Sequence, residues 1–136
     1  MHPNLKVAGD LYRALRDRNL SALTQILHPA FTAEVSEGMP LGVGGAIPSP
    51  EAMLRDVFGR VAREFDVAPE PSELVLAQDE RVFAIGRYRG HTRRGARPVD
   101  AAFVHVLELR DGRVSFLRQV TDTARWPAPG AAGAPA

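Results

Sequence analysis

The segment PVDAAFVHVLELRDGRVSFLRQVTDT, residues 98–123, decides the fold of this chain. Apolar and polar residues alternate through it on both sides of Asp111-Gly112, as they do in strands with one buried face. Asp-Gly is the residue pair that most strongly favours a two-residue turn between antiparallel strands. The segment therefore predicts a hairpin of two long strands, at about 97–110 and 113–122.

The turn also predicts which residues of the hairpin face each other. With a two-residue loop, Arg110 pairs with Arg113, and each later pair lies one residue further from the turn on both strands. One face then carries apolar residues near the turn and ionisable groups beyond them: Leu107 with Phe116, His105 with Arg118, Phe103 with Val120, and Ala101 with Asp122. A bulge in either strand would reverse this assignment and turn Gln119 inward instead.

Helices are predicted in the first half of the chain. The first begins at Pro3 and repeats apolar residues at spacings of three and four: Leu5, Ala8, Leu11, Tyr12 and Leu15. A second helix is predicted at 20–27, after the cap residue Asn19. The third is capped by Ser49, starts at Pro50 and ends near Asp66.

Further strands are predicted at 31–37, 67–77 and 81–91. The Gly- and Pro-rich stretch 38–50 is predicted to be a loop, and its segment GVGG at 42–45 a flexible lip over a pocket. Helices followed by a run of antiparallel strands are typical of an α+β domain with its helices on one face of a curved sheet. We expect a single domain over 1–126 and a disordered Pro/Ala/Gly tail over 127–136.

Composition excludes several classes of function. The 17 Lys and Arg nearly balance the 16 Asp and Glu, so the net charge of +1 provides no overall field for nucleic acid or acidic lipid. The absence of cysteine excludes disulfides and thiolate chemistry, and four scattered histidines give no metal-ligand spacing. With neither a membrane-length apolar stretch nor a signal-peptide core, we expect a cytoplasmic protein with no metal, no cofactor, no nucleic acid and no membrane partner.

The order of elements and the segment VFAIGRYRGHTRRGARPVDAAFVHVLELRDGRVSFLRQVTDTA (82–124) resemble the SnoaL-like polyketide cyclases. Members share a Gly-Arg-Tyr segment, a Pro-Val-Asp entry, a His in the next strand, an Asp-Gly turn and a closing Asp-Thr. The resemblance implies the ketosteroid-isomerase-like fold of the nuclear transport factor 2-like superfamily. In this fold a cone-shaped, curved antiparallel sheet packs against three N-terminal helices around a pocket.

Ionisable groups on the apolar face of the hairpin mark a candidate site, because burying unpaired charges is costly. Our leading hypothesis makes Asp122 a general base that removes a proton next to a carbonyl, while His105 hydrogen-bonds the enolate oxygen. The predicted contacts of a small hydrophobic or polyketide-like substrate are Arg118, Tyr88, Phe103, Val120, Phe116 and Trp126. This is isomerase- or cyclase-type acid/base chemistry without a cofactor.

Structural roles for the same residues stay open at this point. His105 could be a hydrogen-bonded core histidine, Asp122 could meet water at a strand end, and Arg118 could pair with Glu34 or Glu37. The protein could also be a non-catalytic ligand-binding or dimerisation module. We expect a homodimer formed through the outer sheet face, which would carry Ala102, Val104, Val106 and Leu117. Epoxide hydrolysis is disfavoured, since Asp100 falls on the face opposite Asp122.

Overall fold

Three helices and six strands form residues 1–130 in the computed structural model, which describes the chain to Gly130. The helices are α1 (Pro3–Asp17), α2 (Leu20–Ile26) and α3 (50–64). The strands are β1 (Leu27–Val35), β2 (Gly45–Ile47), β3 (Phe65–Leu76), β4 (Val82–Thr92), β5 (Pro98–Arg110) and β6 (Arg113–Thr121). This is the predicted α+β architecture.

Local sequence signals start each helix. The predicted caps Asn19 and Ser49 accept hydrogen bonds from Ala22 N–H and Ala52 N–H through their side-chain oxygens, both at 3.1 Å. In α3 an α-helical first turn, Pro50–Ala52, passes into a π-helical segment, Met53–Phe58, before α-helix resumes at Gly59–Glu64. The wider π turns were not predicted from the sequence; they border the cavity described below.

The sheet has the strand order β2-β1-β6-β5-β4-β3, and its helices cover one face. Neighbouring strands are antiparallel except for β1 and β6, which run parallel, so the sheet is mixed rather than wholly antiparallel. The short edge strand β2 lies inside the stretch predicted to be a loop. It forms because Gly45 to Ile47 pair with Val35 to Ala33 of β1, a contact that the Gly- and Pro-rich sequence does not reveal.

A β-bulge at Ser115 overturns the predicted register of the hairpin. Arg110 pairs with Arg113 and Leu109 with Val114 as expected, but the next pair is Glu108 with Phe116. From there onward, inward and outward positions of β6 are exchanged, as they are after any one-residue insertion. The bulge buries Leu117 and Gln119 and turns Phe116, Arg118 and Val120 to the outer face of the sheet.

The core lies between the helices and the inner face of the sheet. Its largest fully buried side chains come from strands and helices alike: Phe31, Phe65, Met53, Leu107, Val82 and Val114. None of the helices within residues 1–130 is long and apolar enough to cross a membrane.

After β6 a 3₁₀ turn, Thr123–Arg125, brings Trp126 back over the sheet, where it is buried. The predicted disordered tail follows. Residues 127–130 form no helix or strand, and Gly130 is buried against the carbonyl of Arg94, where a Cβ would come within 2.5 Å. The rest of that tail, 131–136, falls outside the described residues.

Candidate functional site

A cavity of about 280 Å³ lies between the helices and the inner face of the sheet. Its walls are mainly apolar and come from all three helices, from four strands, from the loop after β1 and from Trp126. The apolar lining residues are Leu11, Leu15, Leu20, Leu23, Met39, Met53, Val57, Phe58, Val61, Ala62, Val67, Pro69 and Leu117. A cavity of this size and character fits a small hydrophobic molecule.

The polar groups at the sheet side of the cavity are Tyr88 from β4, His105 from β5 and Gln119 from β6. They sit on adjacent strands, because His105 pairs directly with Gln119 across β5 and β6. The Tyr88 hydroxyl lies 2.7 Å from Nε2 of His105, and Gln119 Nε2 donates to the Tyr88 oxygen at 2.9 Å. These three side chains form one connected patch, which we call the polar patch.

His105 is held between two tyrosines. Its Nδ1 lies 2.7 Å from the hydroxyl of Tyr12, a buried residue of α1, while its Nε2 faces Tyr88. Burial lowers the pKa of His105 from 6.5 to about 3, so the imidazole is neutral at physiological pH. With both ring nitrogens engaged, this histidine has no free lone pair with which to remove a proton.

The two tyrosines remain protonated. Burial, reinforced by the nearby Tyr88, raises the pKa of Tyr12 well above its usual value, and burial likewise raises the pKa of Tyr88. A hydrogen bond from Gln119 acts in the opposite direction on the pKa of Tyr88, because it stabilises negative charge on the phenolic oxygen. Tyr88 is therefore a hydrogen-bond donor at the wall of an apolar cavity.

Gln119 is oriented by the chain itself. The backbone N–H of Ser36, just after β1, donates to Gln119 Oε1 at 3.1 Å, and the Ser36 hydroxyl donates to the Gln119 carbonyl at 3.0 Å. These bonds bridge the parallel pair β1 and β6 where their ladder ends. They fix the side-chain amide with its nitrogen toward Tyr88.

One charged residue, Arg18, also borders the cavity. It ends α1 in the left-handed conformation, with φ 51°, and its guanidinium donates to Asp66 at 2.8 Å. The Arg18 guanidinium lowers the pKa of the Asp66 carboxyl. Because both side chains are about half exposed, this ion pair lies at the solvent side of the cavity.

Four predicted site residues fall in or beside this cavity. His105, Tyr88 and Trp126 line it, and Trp126 donates from Nε1 to the Thr121 hydroxyl at 3.2 Å. Phe103 is buried behind the polar patch, with its ring centroid 4.2 Å from that of His105. The alternation of β5 was a sufficient signal for the inward positions of Phe103 and His105, and the Gly-Arg-Tyr segment indicated Tyr88; neither signal covers Trp126, which lies after β6.

The other four do not line the cavity, because the bulge at Ser115 reversed their side of the sheet. Arg118 lies on the outer face and donates to Glu34, which was the open structural alternative. Val120 is 54% exposed, and Phe116 packs under the Arg118 guanidinium on the same outer face. The predicted inward positions of these residues were wrong.

Asp122 also lies outside the cavity. Its backbone N–H donates to the Ala102 carbonyl, and its carboxylate is 49% exposed beside Arg125. The predicted position of Asp122 in the pocket was therefore wrong. Asp and Glu are absent from the residues that line the cavity within 1–130.

Sequence reasoning missed Tyr12 as a member of the site. Tyr12 was recognised as part of the apolar stripe of α1, and a buried tyrosine hydroxyl needs a polar partner. That partner, His105, is 93 residues away in sequence, so only the packing of α1 on the sheet identifies it. No group of three His, Cys, Asp or Glu side chains that could hold a metal ion occurs within residues 1–130.

The chain is similar to a known domain family and to solved structures. A SnoaL-like domain profile matches residues 8–117 of the chain. An NTF2-like protein from Burkholderia thailandensis shares 26% identity with a TM-score of 0.80, over 92% of this chain and 95% of that chain. None of the curated protein sequences matches the chain.

Two more distant structures share the fold. IdmH, a candidate polyketide cyclase from Streptomyces antibioticus, is 19% identical with a TM-score of 0.77, over 91% of this chain and 95% of that chain. A candidate isomerase from Rhodopseudomonas palustris is 22% identical with a TM-score of 0.74, over 92% of this chain and 93% of that chain.

Proposed function

Because this chain belongs to the SnoaL-like domain family and has the NTF2-like fold, we propose that its cavity binds a small, largely apolar molecule and polarises one of its oxygen atoms. The chemistry proposed is of the isomerase or cyclase type and needs no cofactor. The family and the fold are those predicted from the sequence. The observation that carries the proposal is the polar patch of Tyr88, His105 and Gln119 in the wall of an otherwise apolar cavity.

Such an arrangement favours developing negative charge on oxygen. Donors that are already oriented in a site with little water stabilise an oxyanion without having to reorganise during the reaction. Tyr88 is positioned for this by its bonds to His105 and Gln119, and its raised pKa keeps it from becoming an anion itself. A ligand carbonyl beside Tyr88 would become more electrophilic, and its neighbouring C–H bonds more acidic.

Among residues 1–130, the side chains that line the cavity include no strong base for breaking such a C–H bond. His105 is neutral with both nitrogens engaged, and the Asp122 carboxylate faces solvent. We therefore propose substrates whose own C–H bond is acidic, such as one between two carbonyl groups. In the step proposed, the C–H bond breaks, its proton passes to water, and the electron pair moves onto the carbonyl oxygen that Tyr88 holds.

Deuterium exchange tests this reaction type without knowledge of the substrate. An aryl 1,3-diketone is incubated in D₂O with the protein, and deuterium at the central carbon is followed by mass spectrometry against a buffer control. We expect faster exchange with the wild-type protein, and a loss of that acceleration in Tyr88→Phe. Binding of the diketone with exchange at the buffer rate would refute the catalytic proposal.

That last outcome would identify the second candidate, a ligand-binding module. The lining residues within 1–130 include no Asp or Glu, and a cavity without a carboxylate base favours the ligand-binding module. Exchange and binding measured together distinguish the two, because function resides in the site rather than in the fold.

We also propose that the protein forms a homodimer through the outer face of the sheet. Ile85, Val104 and Val120 pair in one row across β4, β5 and β6, and Val104 and Val120 are exposed. The predicted face included Leu117, which the bulge buries and replaces with Val120. On either side of this row the charges are already paired within the chain, as in Arg118 with Glu34, so a second copy can cover it without burying unpaired charge.

A further inference from the structure

The direction of each hydrogen bond in the polar patch can be traced from two fixed ends. The first end is Ser36, whose backbone N–H can only donate, and it faces Oε1 of Gln119. The Gln119 amide nitrogen must then point to Tyr88, where it donates one hydrogen to the phenolic oxygen. Its second hydrogen has no acceptor among residues 1–130, although the side chain lines the cavity.

The second end is Tyr12. Its hydroxyl is buried away from the cavity, and within residues 1–130 its one hydrogen-bond partner is Nδ1 of His105. A buried hydroxyl whose proton has no acceptor is costly, so the Tyr12 proton must be donated to Nδ1. Nδ1 is thereby the lone-pair nitrogen, and a neutral imidazole carries its single proton on the other nitrogen, Nε2.

Both chains of bonds converge on Tyr88. His105 Nε2–H and Gln119 Nε2–H each donate to the phenolic oxygen, at 2.7 and 2.9 Å. The Tyr88 proton then has no acceptor among residues 1–130, so it is free for a ligand in the cavity that Tyr88 lines. Every polar hydrogen of the patch not used inside the protein is therefore offered to the ligand.

We propose that Tyr88 and Gln119 form a donor-only patch, and that the pocket selects ligands whose inner end is an oxygen without a proton, such as a ketone, aldehyde or quinone. Tyr12 and His105 are positioning residues that set the direction of the Tyr88 hydroxyl. This inference rests on the proposed small-molecule function of the cavity and adds the class of its ligand. An alcohol or amine at the same position would carry a proton of its own against the donors of Tyr88 and Gln119.

The tautomer of His105 tests the proposed hydrogen-bond directions without any ligand. In uniformly ¹⁵N-labelled protein, long-range ¹H–¹⁵N correlation spectra distinguish the protonated ring nitrogen from the one with a lone pair. We expect His105 to carry its proton on Nε2 at neutral pH, with His105→Gln used to assign its signals. A proton on Nδ1 would reverse the direction of the Tyr12 and Tyr88 bonds and overturn the proposal.

Ligand selectivity tests the proposed preference for an oxygen without a proton. Calorimetric titration compares 2-acetylnaphthalene with two matched molecules, 1-(2-naphthyl)ethanol and 2-ethylnaphthalene, which share its ring and differ at the oxygen. One well-made hydrogen bond in a dry site corresponds to about a tenfold change in affinity. We expect the ketone to bind about tenfold more tightly than either, and this preference to disappear in Tyr88→Phe.

The pattern of binding separates the two proposals. Equal affinity for all three molecules in the wild-type protein would overturn the donor-only patch and leave the apolar pocket intact. Failure of all three to bind would overturn the proposed function, and this inference with it. In Tyr88→Phe, retained binding of 2-ethylnaphthalene shows that the variant is folded; if it does not fold, the tautomer and the wild-type ligand series still decide the question.

Discussion

Lowering the pH from 7 to 5 is expected to destabilise the protein by about 2 kcal/mol through His105 alone. Burial holds the folded-state pKa of His105 at about 3, against 6.5 for an ordinary histidine. At a pH between the folded-state pKa of about 3 and the unfolded-state pKa of 6.5, the unfolded chain binds a proton at His105 and the folded chain does not. The free energy of unfolding therefore falls as the pH drops below about 6.5, and the loss continues until the pH approaches 3.

The magnitude follows from the linkage of protonation to folding. Each pH unit below the unfolded-state pKa contributes about 1.4 kcal/mol, so the unit and a half between 6.5 and 5 gives the expected 2 kcal/mol. Ion-paired carboxylates do not obscure it. Hydrogen bonds from Arg18 and Arg87 lower the pKa values of Asp66 and Asp100 from 3.8, so both stay ionised at pH 5.

Urea unfolding followed by tryptophan fluorescence provides the assay. Trp126 is the sole tryptophan and is buried, so its emission reports loss of the native core. Unfolding curves at pH 7, 6 and 5, at one protein concentration, would be compared between wild type and His105→Gln, whose amide does not titrate. His91→Gln is the matched control, because His91 is half exposed and should leave the His105 contribution in place. If wild type and His105→Gln lose stability in parallel, His105 is not held neutral in the folded protein.

Three other perturbations have defined expected outcomes. Asp122→Asn should leave the affinity for 2-acetylnaphthalene unchanged in calorimetry, because the carboxylate is exposed outside the cavity; a large loss would restore Asp122 to the site. Arginine at both Val104 and Val120 should give a monomer in size-exclusion light scattering where wild type is a dimer, whereas a monomeric wild type at micromolar concentration would refute the interface. Gly90→Ala should lower the free energy of unfolding by about 2 kcal/mol or more in urea titration, since its Cβ would lie 1.9 Å from the Asp66 carbonyl at φ 155°; wild-type stability would contradict this packing.

Local features of the sequence were sufficient for most of the fold. The helix starts were recognisable because Pro3 suits a first helical position and the caps Asn19 and Ser49 satisfy backbone N–H groups within a few residues of themselves. The Asp111-Gly112 turn was equally visible, since its positive φ values of 54° and 72° suit Asp and Gly. Where the structure departs from prediction, the deciding contact is distant: β2 forms only because β1 lies beside it.

Only half of the predicted site residues lie at the cavity, and the bulge at Ser115 explains why the other half do not. Alternation along β5 predicted the inward position of His105 correctly, because that strand is regular over its whole length. In β6 the same alternation failed after Val114, since one extra residue exchanges every following side chain between core and solvent. The bulge buries Leu117 and leaves Arg118 at the surface, which spares the core an unpaired charge.

By itself, the sequence determined the class of fold, the hairpin turn and the inward face of β5, because caps, turns and alternation are properties of neighbouring residues. Only the tertiary structure decided that Gln119 rather than Arg118 faces His105, and that Tyr12 approaches it from α1. The physical reason is that the cost of burying a charge or leaving a hydroxyl unpaired depends on everything packed around it. Those packed neighbours, drawn from distant parts of the chain, make the site a patch of neutral hydrogen-bonding groups instead of a pocket with a carboxylate base.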